Sequence, residues 1–334
     1  LQGLFTVGEV PGFTNISKFL EISETKFRKY IPSDSRREVA VVLYTSGSTG
    51  LRKGTEISHQ AMISAFRSFE ATGYCNEEDV YLSTRSFSYV SGMRLITAAM
   101  CLGATVIIRE RNLPLEEFVD VVKTYKVTLM SWTPLMMQGI IKQATASGTS
   151  IPSVKAIIIT GDILSKTLAK EINIHFRPRT LANSYALTES FGMISTTPVG
   201  EVASGNTGFP VAGCKVKVVH LDSGESLKAH ERGEILAQGN NMMNGYYGKP
   251  TATNTAFTTD GWLRTGDLGY YDDTGRIYVV ERMKQMIKVL DHHVTPAELE
   301  ELLLTHAAVD EVAVVGIPNQ EHGETPVACV VLNE

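Results

Sequence analysis

Residues 44–55 read YTSGSTGLRKGT and gather Thr45, Ser46, Ser48 and Thr49 with Gly47, Gly50 and Gly54 around Lys53. Glycines let a backbone turn its N–H groups toward an anion, while hydroxyls and one ammonium add donors for phosphate oxygens. The chemistry this points to is polyphosphate binding. A Walker loop carries its lysine directly after the second glycine of its motif. Here Lys53 precedes Gly54 and follows a run of hydroxyls, so the common P-loop NTPase is disfavoured. A flexible Ser/Gly linker is the plainer reading, but such linkers rarely carry a lone lysine between an apolar run and an amphipathic segment.

The elements that must position this loop follow from periodicity. The apolar run Val39 to Tyr44 predicts a strand feeding the loop, and Ser58 predicts a helix cap. Ala61, Met62, Ala65, Phe66 and Phe69 form one apolar face of that helix, which runs through about Ser68. Val80 to Ser83 reads as a strand, and Phe87, Ser88 and Tyr89 begin a loop that enters an apolar helix from Arg94. Strand and helix patterns then alternate through Ala104 to Ile108, Leu115 to Tyr125, Val127 to Trp132, Pro134 to Thr145 and Val154 to Thr160. That alternation predicts an α/β fold with a parallel sheet flanked by helices and ligands beyond the strands' carboxyl ends.

From Gly205 the pattern shortens into alternating runs, including Val216 to Leu221 and Gly233 to Ala237, which predict a β-rich subdomain of antiparallel strands. Asp272-Asp273-Thr274-Gly275 reads as a hairpin turn with a return strand from Ile277. Thr295, Pro296 and Glu298 spell a capping box, with Leu299, Leu302 and Leu303 as the buried face of its helix. Strands at Val312 to Ile317 and Pro326 to Leu332 follow, so that the end of the chain mixes one helix with strands in an α+β pattern. At the other end, Leu1 to Arg37 reads as a weakly periodic linker in which Phe19 and Leu20 are the expected core contacts.

With 334 residues the chain is long enough for two domains. A net charge of −5 leaves no electrostatic footprint for nucleic acid or an anionic membrane surface. Cys75, Cys101, Cys214 and Cys329 lack metal or redox spacing and read as reduced thiols. The longest uncharged run, Leu95 to Ile108, falls short of the roughly 20 residues a membrane span needs.

The loop resembles the phosphate-binding signature of the adenylate-forming superfamily, which includes acyl-CoA synthetases, 4-coumarate–CoA ligases, beetle luciferases and peptide-synthetase adenylation domains. Three further stretches in the same order carry the resemblance: Asn183-Ser184-Tyr185-Ala186-Leu187-Thr188-Glu189, Asp260 to Asp267 ending in Thr265-Gly266-Asp267, and Glu281 to Lys288. The resemblance implies that Tyr185 stacks on adenine, Thr188 meets the α-phosphate, Glu189 holds Mg²⁺ and Asp267 binds the ribose hydroxyls. It likewise gives Arg282 to ribose and phosphates and makes Lys284 the hinge of the small domain. Lys288 is then an adenylate or conformational contact, and Gly161 lies beside adenine. These roles are chemically sensible. Magnesium takes few protein ligands, a flat ring stacks on a base, and one carboxylate accepts from two vicinal hydroxyls.

What the resemblance implies is a large domain over residues 1–283 and a small one over 284–334, truncated at both ends, with a further catalytic lysine beyond Glu334. The implied activity is activation of a small-molecule carboxylic acid with ATP and Mg²⁺, then thioester formation with CoA, in the cytoplasm or peroxisome. Phe87, Ser88 and Tyr89 mark the acyl pocket. The lack of an aspartate there disfavours amino-acid activation, because a buried ammonium without a counter-charge is costly. Two alternatives remain open: a luciferase-like monooxygenase sharing the adenylation step, and a truncated nucleotide-binding pseudoenzyme, motivated by Ser184 and Asp291 where glycines are expected.

Overall fold

The computed structural model describes residues 5–6, 8–23, 25, 28–45, 52–110, 113–150, 154–290, 292–319 and 321–333. The chain divides into two compact units, Leu1–Asp34 and Ser35–Glu334. In the first, Phe5–Thr6 pairs in parallel with Thr14–Asn15, and a 3-10 turn, Ile16–Glu21, is capped by the Asn15 side chain. None of that turn is buried. Leu20 is 89% exposed and Phe19 39% exposed, which corrects the expectation that they are core contacts. So short a 3-10 segment offers an apolar side chain too little neighbouring surface to bury it.

The second unit is built on a seven-stranded sheet. Its parallel part runs, in spatial order, Thr180–Ala186, Ala156–Thr160, Leu129–Trp132, Val80–Ser83 and Thr105–Ile108. Met193–Thr196 and Phe209–Pro210 extend it antiparallel at one edge. Helices His59–Ala71 and Val90–Cys101 pack on one face. Leu115–Tyr125, Pro134–Ser147 and Lys166–Phe176 cover the other, giving one apolar cluster per face. Alternation along a strand explains the division: Tyr81 and Leu129 join the first cluster, while Leu82, Met130 and Trp132 join the second. Helix starts follow local chemistry, with the hydroxyls of Ser58, Thr133 and Ser165 each accepting a first-turn N–H.

Three smaller sheets flank this core. Val39–Thr45 pairs antiparallel with Lys53–Ser58, which pairs in turn with Gly245–Tyr246. Lys53 therefore heads a strand. Cys214–Val219, Gly233–Gly239, Leu263–Tyr271 and Ile277–Arg282 form an antiparallel sheet in that order. The fourth sheet carries His292–Val294, Ile287–Val289, Gly323–Leu332 and Val309–Asn319, with helix Pro296–Leu303 packed against Val309–Asn319.

That helix corrects the capping-box expectation. The Thr295 side chain makes no capping hydrogen bond, and Glu298 pairs instead with Arg232 at 2.8 Å. The cap comes from Glu281, whose carboxylate accepts from the Ala297 amide at 3.3 Å and the Arg282 amide at 2.9 Å. A carboxylate on a preceding strand supplies more acceptor capacity and a favourable charge at the helix start than a local hydroxyl does. The expected buried leucine face is also corrected at Leu302, which is 66% exposed.

Candidate functional site

Strand Thr180–Ala186 is buried at every position but its last. That burial explains how its polar residues are held. The Asn183 amide side chain donates to the Asn206 carbonyl at 3.0 Å, and the Ser184 hydroxyl pairs with Thr196 on the neighbouring strand. Tyr185 donates its hydroxyl to Asp267 Oδ2, joining residues 82 positions apart. Asp267 stands on Leu263–Tyr271 directly opposite Arg282 on Ile277–Arg282.

Arg282 Nε lies 2.9 Å from Asp267 Oδ1, an ion pair in which the N–H is not directed at the oxygen. Oδ1 is thus a buried acceptor without a hydrogen-bond donor, on a residue only 2% exposed. Burial raises the Asp267 carboxyl above the usual carboxylate range, with Arg282 and the Tyr185 hydrogen bond pulling the other way. Burial and the adjacent Asp267 in turn keep the Tyr185 phenol protonated.

A second group of residues meets at Tyr246. Its hydroxyl donates to Glu189 Oε1 at 2.8 Å, and Lys53 Nζ stands 4.7 Å from its ring centroid. Register places Tyr246 there: Gly245–Tyr246 runs beside Lys53–Ser58, with Tyr246 opposite Thr55. Thr188 and Glu189 lie at the head of a tight turn closed by the Phe191 amide on the Thr188 carbonyl. Phe191 is fully buried at φ 44°, and Ser190 Oγ bonds to both the Leu187 and Gly192 carbonyls. A non-glycine residue in the left-handed region persists only where its surroundings over-determine it. The two groups are one electrostatic unit, since Glu189 bears on Asp267 and Arg282 on Tyr246.

Seven expected residues therefore lie in this region: Lys53, Thr45 opposite it in register, Tyr185, Thr188, Glu189, Asp267 and Arg282. Gly161 ends strand Ala156–Thr160 at φ +98°, where an added Cβ would stand 3.8 Å from Arg85 Nη2. Phe87, Ser88 and Tyr89 form an exposed turn that starts helix Val90–Cys101, and Gly92 behind it lets Ser86 O approach to 2.2 Å of where a Cβ would be. Lys288 is exposed on Ile287–Val289, where its amide donates to Glu324. No hydrogen bond or ion pair joins Lys288 or the Phe87–Tyr89 turn to the Tyr185 and Tyr246 groups among the described residues. Ser46, Gly47, Ser48, Thr49, Gly50 and Asp291 lie outside the described residues.

Tyr246, Ser190 and Phe191 were missed by sequence reasoning. The pattern K-G-T-E-I-S signals the strand beside Tyr246, but nothing local to Gly245-Tyr246 names Glu189 as its partner.

Residues 9–247 match the AMP-binding enzyme family, and residues 298–334 match the AMP-binding enzyme C-terminal domain. The chain belongs to the AMP-binding enzyme family. Among AMP-binding enzymes it is 29% identical to 4-coumarate–CoA ligase 1 of Petroselinum crispum over 95% of this chain and 60% of that one. It is 32% identical to luciferin 4-monooxygenase of Nipponoluciola cruciata over 91% of this chain and 56% of that one. Its structure resembles o-succinylbenzoate coenzyme A synthetase of Bacillus subtilis in complex with AMP, with a TM-score of 0.77, 27% identity, and coverage of 89% and 60%. It shares its fold with ATP-bound MatB of Rhodopseudomonas palustris, at a TM-score of 0.86, 23% identity, and coverage of 96% and 63%. The chain spans about 60% of the length of the curated relatives it matches. No helix among the described residues is long and apolar enough to cross a membrane.

The residues present suit a nucleotide with a magnesium ion. Asp267 Oδ1 is a buried acceptor matched to hydroxyl donors, and Thr188, next to Glu189, is half-buried. No cluster of three metal-ligating side chains exists among the described residues. A single carboxylate, Glu189, fits an ion that takes most of its oxygens from phosphate and water.

Proposed function

We propose that this chain is the nucleotide-binding part of an acid–CoA ligase, which joins a carboxylic acid to AMP at the expense of ATP and then passes the acyl group to CoA. In the first step a carboxylate oxygen bonds to the α-phosphorus as the bond to pyrophosphate breaks. In the second a thiol sulfur bonds to the acyl carbon and AMP leaves.

Asp267 accepts from the ribose hydroxyls, Tyr185 offers its ring to adenine, and Gly161, Asn183 and Ser184 line that side. Lys53, Thr188 and Arg282 donate to phosphate oxygens together with the loop from Thr45 to Gly50, and Glu189 supplies the metal's protein oxygen. Magnesium bound there would neutralise phosphate charge. The residues contribute position and charge rather than proton transfer, which is how phosphoryl-type transfer is generally catalysed. Lys284 is the hinge between residues 1–283 and 284–334, and Lys288 a contact made after rotation. The acid is received beside Phe87, Ser88 and Tyr89. Four free cysteines favour a reducing compartment, the cytoplasm or the peroxisome.

The observation that carries this reading is Asp267: a buried carboxylate oxygen beside a guanidinium, held by a tyrosine and lacking a donor. The ligase relative and the synthetase neighbour support CoA as acceptor over luciferin oxygenation. The test is incubation of the chain with Mg-ATP, hydroxylamine and a panel of aryl, fatty and dicarboxylic acids. Slow acid-dependent pyrophosphate release with matching acyl hydroxamate is expected. Tight Mg-ATP binding without either product from any acid would replace this reading with the pseudoenzyme.

A further inference from the structure

Arg94 lies in the interior of helix Val90–Cys101, 2% exposed, between the central sheet and helix His59–Ala71. No carboxylate pairs with it and no hydrogen bond reaches it among the described residues; its Nη1 is fully enclosed without a partner. Its guanidinium carbon stands 6.0 Å from the Phe69 ring centroid, a weak compensation for a full charge. Burial pushes its pKa down to about 10, with the Tyr81 phenol as its titratable neighbour.

Tyr81 itself is 1% exposed with an unpartnered hydroxyl, and the nearby Ser83 hydroxyl does not complete a bond to it. Arg85 bears on the same phenol, while its Nη2 reaches the Thr160 carbonyl at 3.4 Å beside Gly161. On the same sheet face, the Ser131 hydroxyl is buried and also unpartnered.

Unmatched buried donors and an uncompensated cation are costly, and each calls for a partner such as an ordered water, an ion or a ligand. Their place in the chain says which ligand. The helix that carries Arg94 begins at the Phe87–Tyr89 turn, and Arg85 stands at the carboxyl ends of the parallel strands, where open α/β sheets receive ligands. The lining beside Tyr81, from Phe69, Leu95, Ala99 and Leu129, is apolar and too narrow for a water molecule. A ligand that reaches Arg94 therefore moves side chains and brings hydrocarbon along with its charge.

We propose that Arg94, with Tyr81 and Arg85, receives a second anionic group on the carboxylic acid, so that the substrate class is a dicarboxylate whose distal carboxylate pairs with Arg94 while its other end is activated. This rests on the reading of the chain as an acid-activating AMP-binding enzyme. It adds a specificity residue without changing the reaction.

The test is thermal unfolding of the wild-type chain, Arg94→Met and Arg94→Lys in Mg-ATP. Each is titrated with adipate, suberate and sebacate and with hexanoate, octanoate and decanoate. The wild type is expected to bind at least one dicarboxylate about 10–100-fold more tightly than the monocarboxylate of equal length, the usual worth of a charge-assisted hydrogen bond. Arg94→Met should lose that preference, keep its response to Mg-ATP, and melt higher than wild type without acid. Arg94→Lys should retain part of the preference. An Arg94→Met chain that melts lower with its acid preference unchanged would make Arg94 structural and overturn the proposal. So would a wild type that responds to Mg-ATP yet never prefers a dicarboxylate. A wild type indifferent to Mg-ATP would instead remove the reading on which the proposal stands.

Discussion

Strand Thr180–Ala186 and strand Gly323–Leu332 are both apolar-rich, yet the first is buried at six of its seven positions and the second at none of its ten. The first carries Tyr185 into contact with Asp267, and the second pairs with Val309–Asn319 over a long, mostly exposed hairpin. The difference shows what burial does for a site. Around Tyr185 the surrounding core fixes each polar group before any ligand arrives, so an acceptor such as Asp267 Oδ1 can be held unfilled. In the C-terminal sheet, order depends on hairpin ladders and a few ties, among them the Glu281 cap and the Arg232–Glu298 pair.

Breaking the buried region should give the largest effect. Asp267→Ala strips the acceptor from a buried phenol and the counter-charge from Arg282, and should lower stability by about 1–3 kcal/mol in urea unfolding. A change within a few tenths would mean that the Tyr185 contact is not maintained in solution.

The pH dependence of the same residue sharpens the point. A carboxyl whose folded pKa is raised binds its proton more tightly when folded. Its stabilising contribution is then complete below the unfolded value, about 3.9, and lost as pH rises through the folded value. Wild type should therefore lose stability relative to Asp267→Asn as pH rises through that window, with Arg282, Glu189 and Glu234 modulating where it falls. A difference that grows in favour of wild type would reverse the assigned shift.

The exposed region should respond more weakly and locally. Glu281→Ala removes the acceptor for Ala297 and should cost about 1 kcal/mol, seen as faster amide exchange across Pro296–Leu303 with little change in the central sheet. Uniform protection in wild type and variant would show that the cap is supplied by another group. Smallest of all in its effect on the helix, Thr295→Ala removes a buried side chain whose hydroxyl makes no capping hydrogen bond, and should leave amide exchange across Pro296–Leu303 unchanged. Faster exchange there would restore the local capping box.

These contrasts also mark what could be read from the chain. The strand–helix alternation from Val80 to Thr160 was legible because each apolar run has one dominant period, and the hydroxyls at Ser58 and Thr133 cap helices through contacts only three residues long. Tyr185 and Asp267 were legible by resemblance, but their mutual hydrogen bond spans 82 positions and depends on how two sheets meet. Tyr246 was invisible for the same reason, being joined to Glu189 across 57 positions. At Thr295 the local pattern misled: a threonine and a glutamate three apart satisfy the sequence rule, yet Glu281, 16 residues before the Ala297 amide it accepts from, outcompetes the hydroxyl and leaves Glu298 to Arg232. Leu20 failed because periodicity cannot tell whether there is a core to face.

Whether the pre-built acceptor at Asp267 reads the ribose is decided by a cycle of two proteins and two nucleotides. Calorimetry would compare ATP with 2′,3′-dideoxy-ATP, each with magnesium, on wild type and Asp267→Asn. Removing the hydroxyls should weaken binding to wild type by about 10–100-fold and to Asp267→Asn by much less. An equal loss on both proteins would contradict the account, because the hydroxyls would then be recognised somewhere other than Asp267.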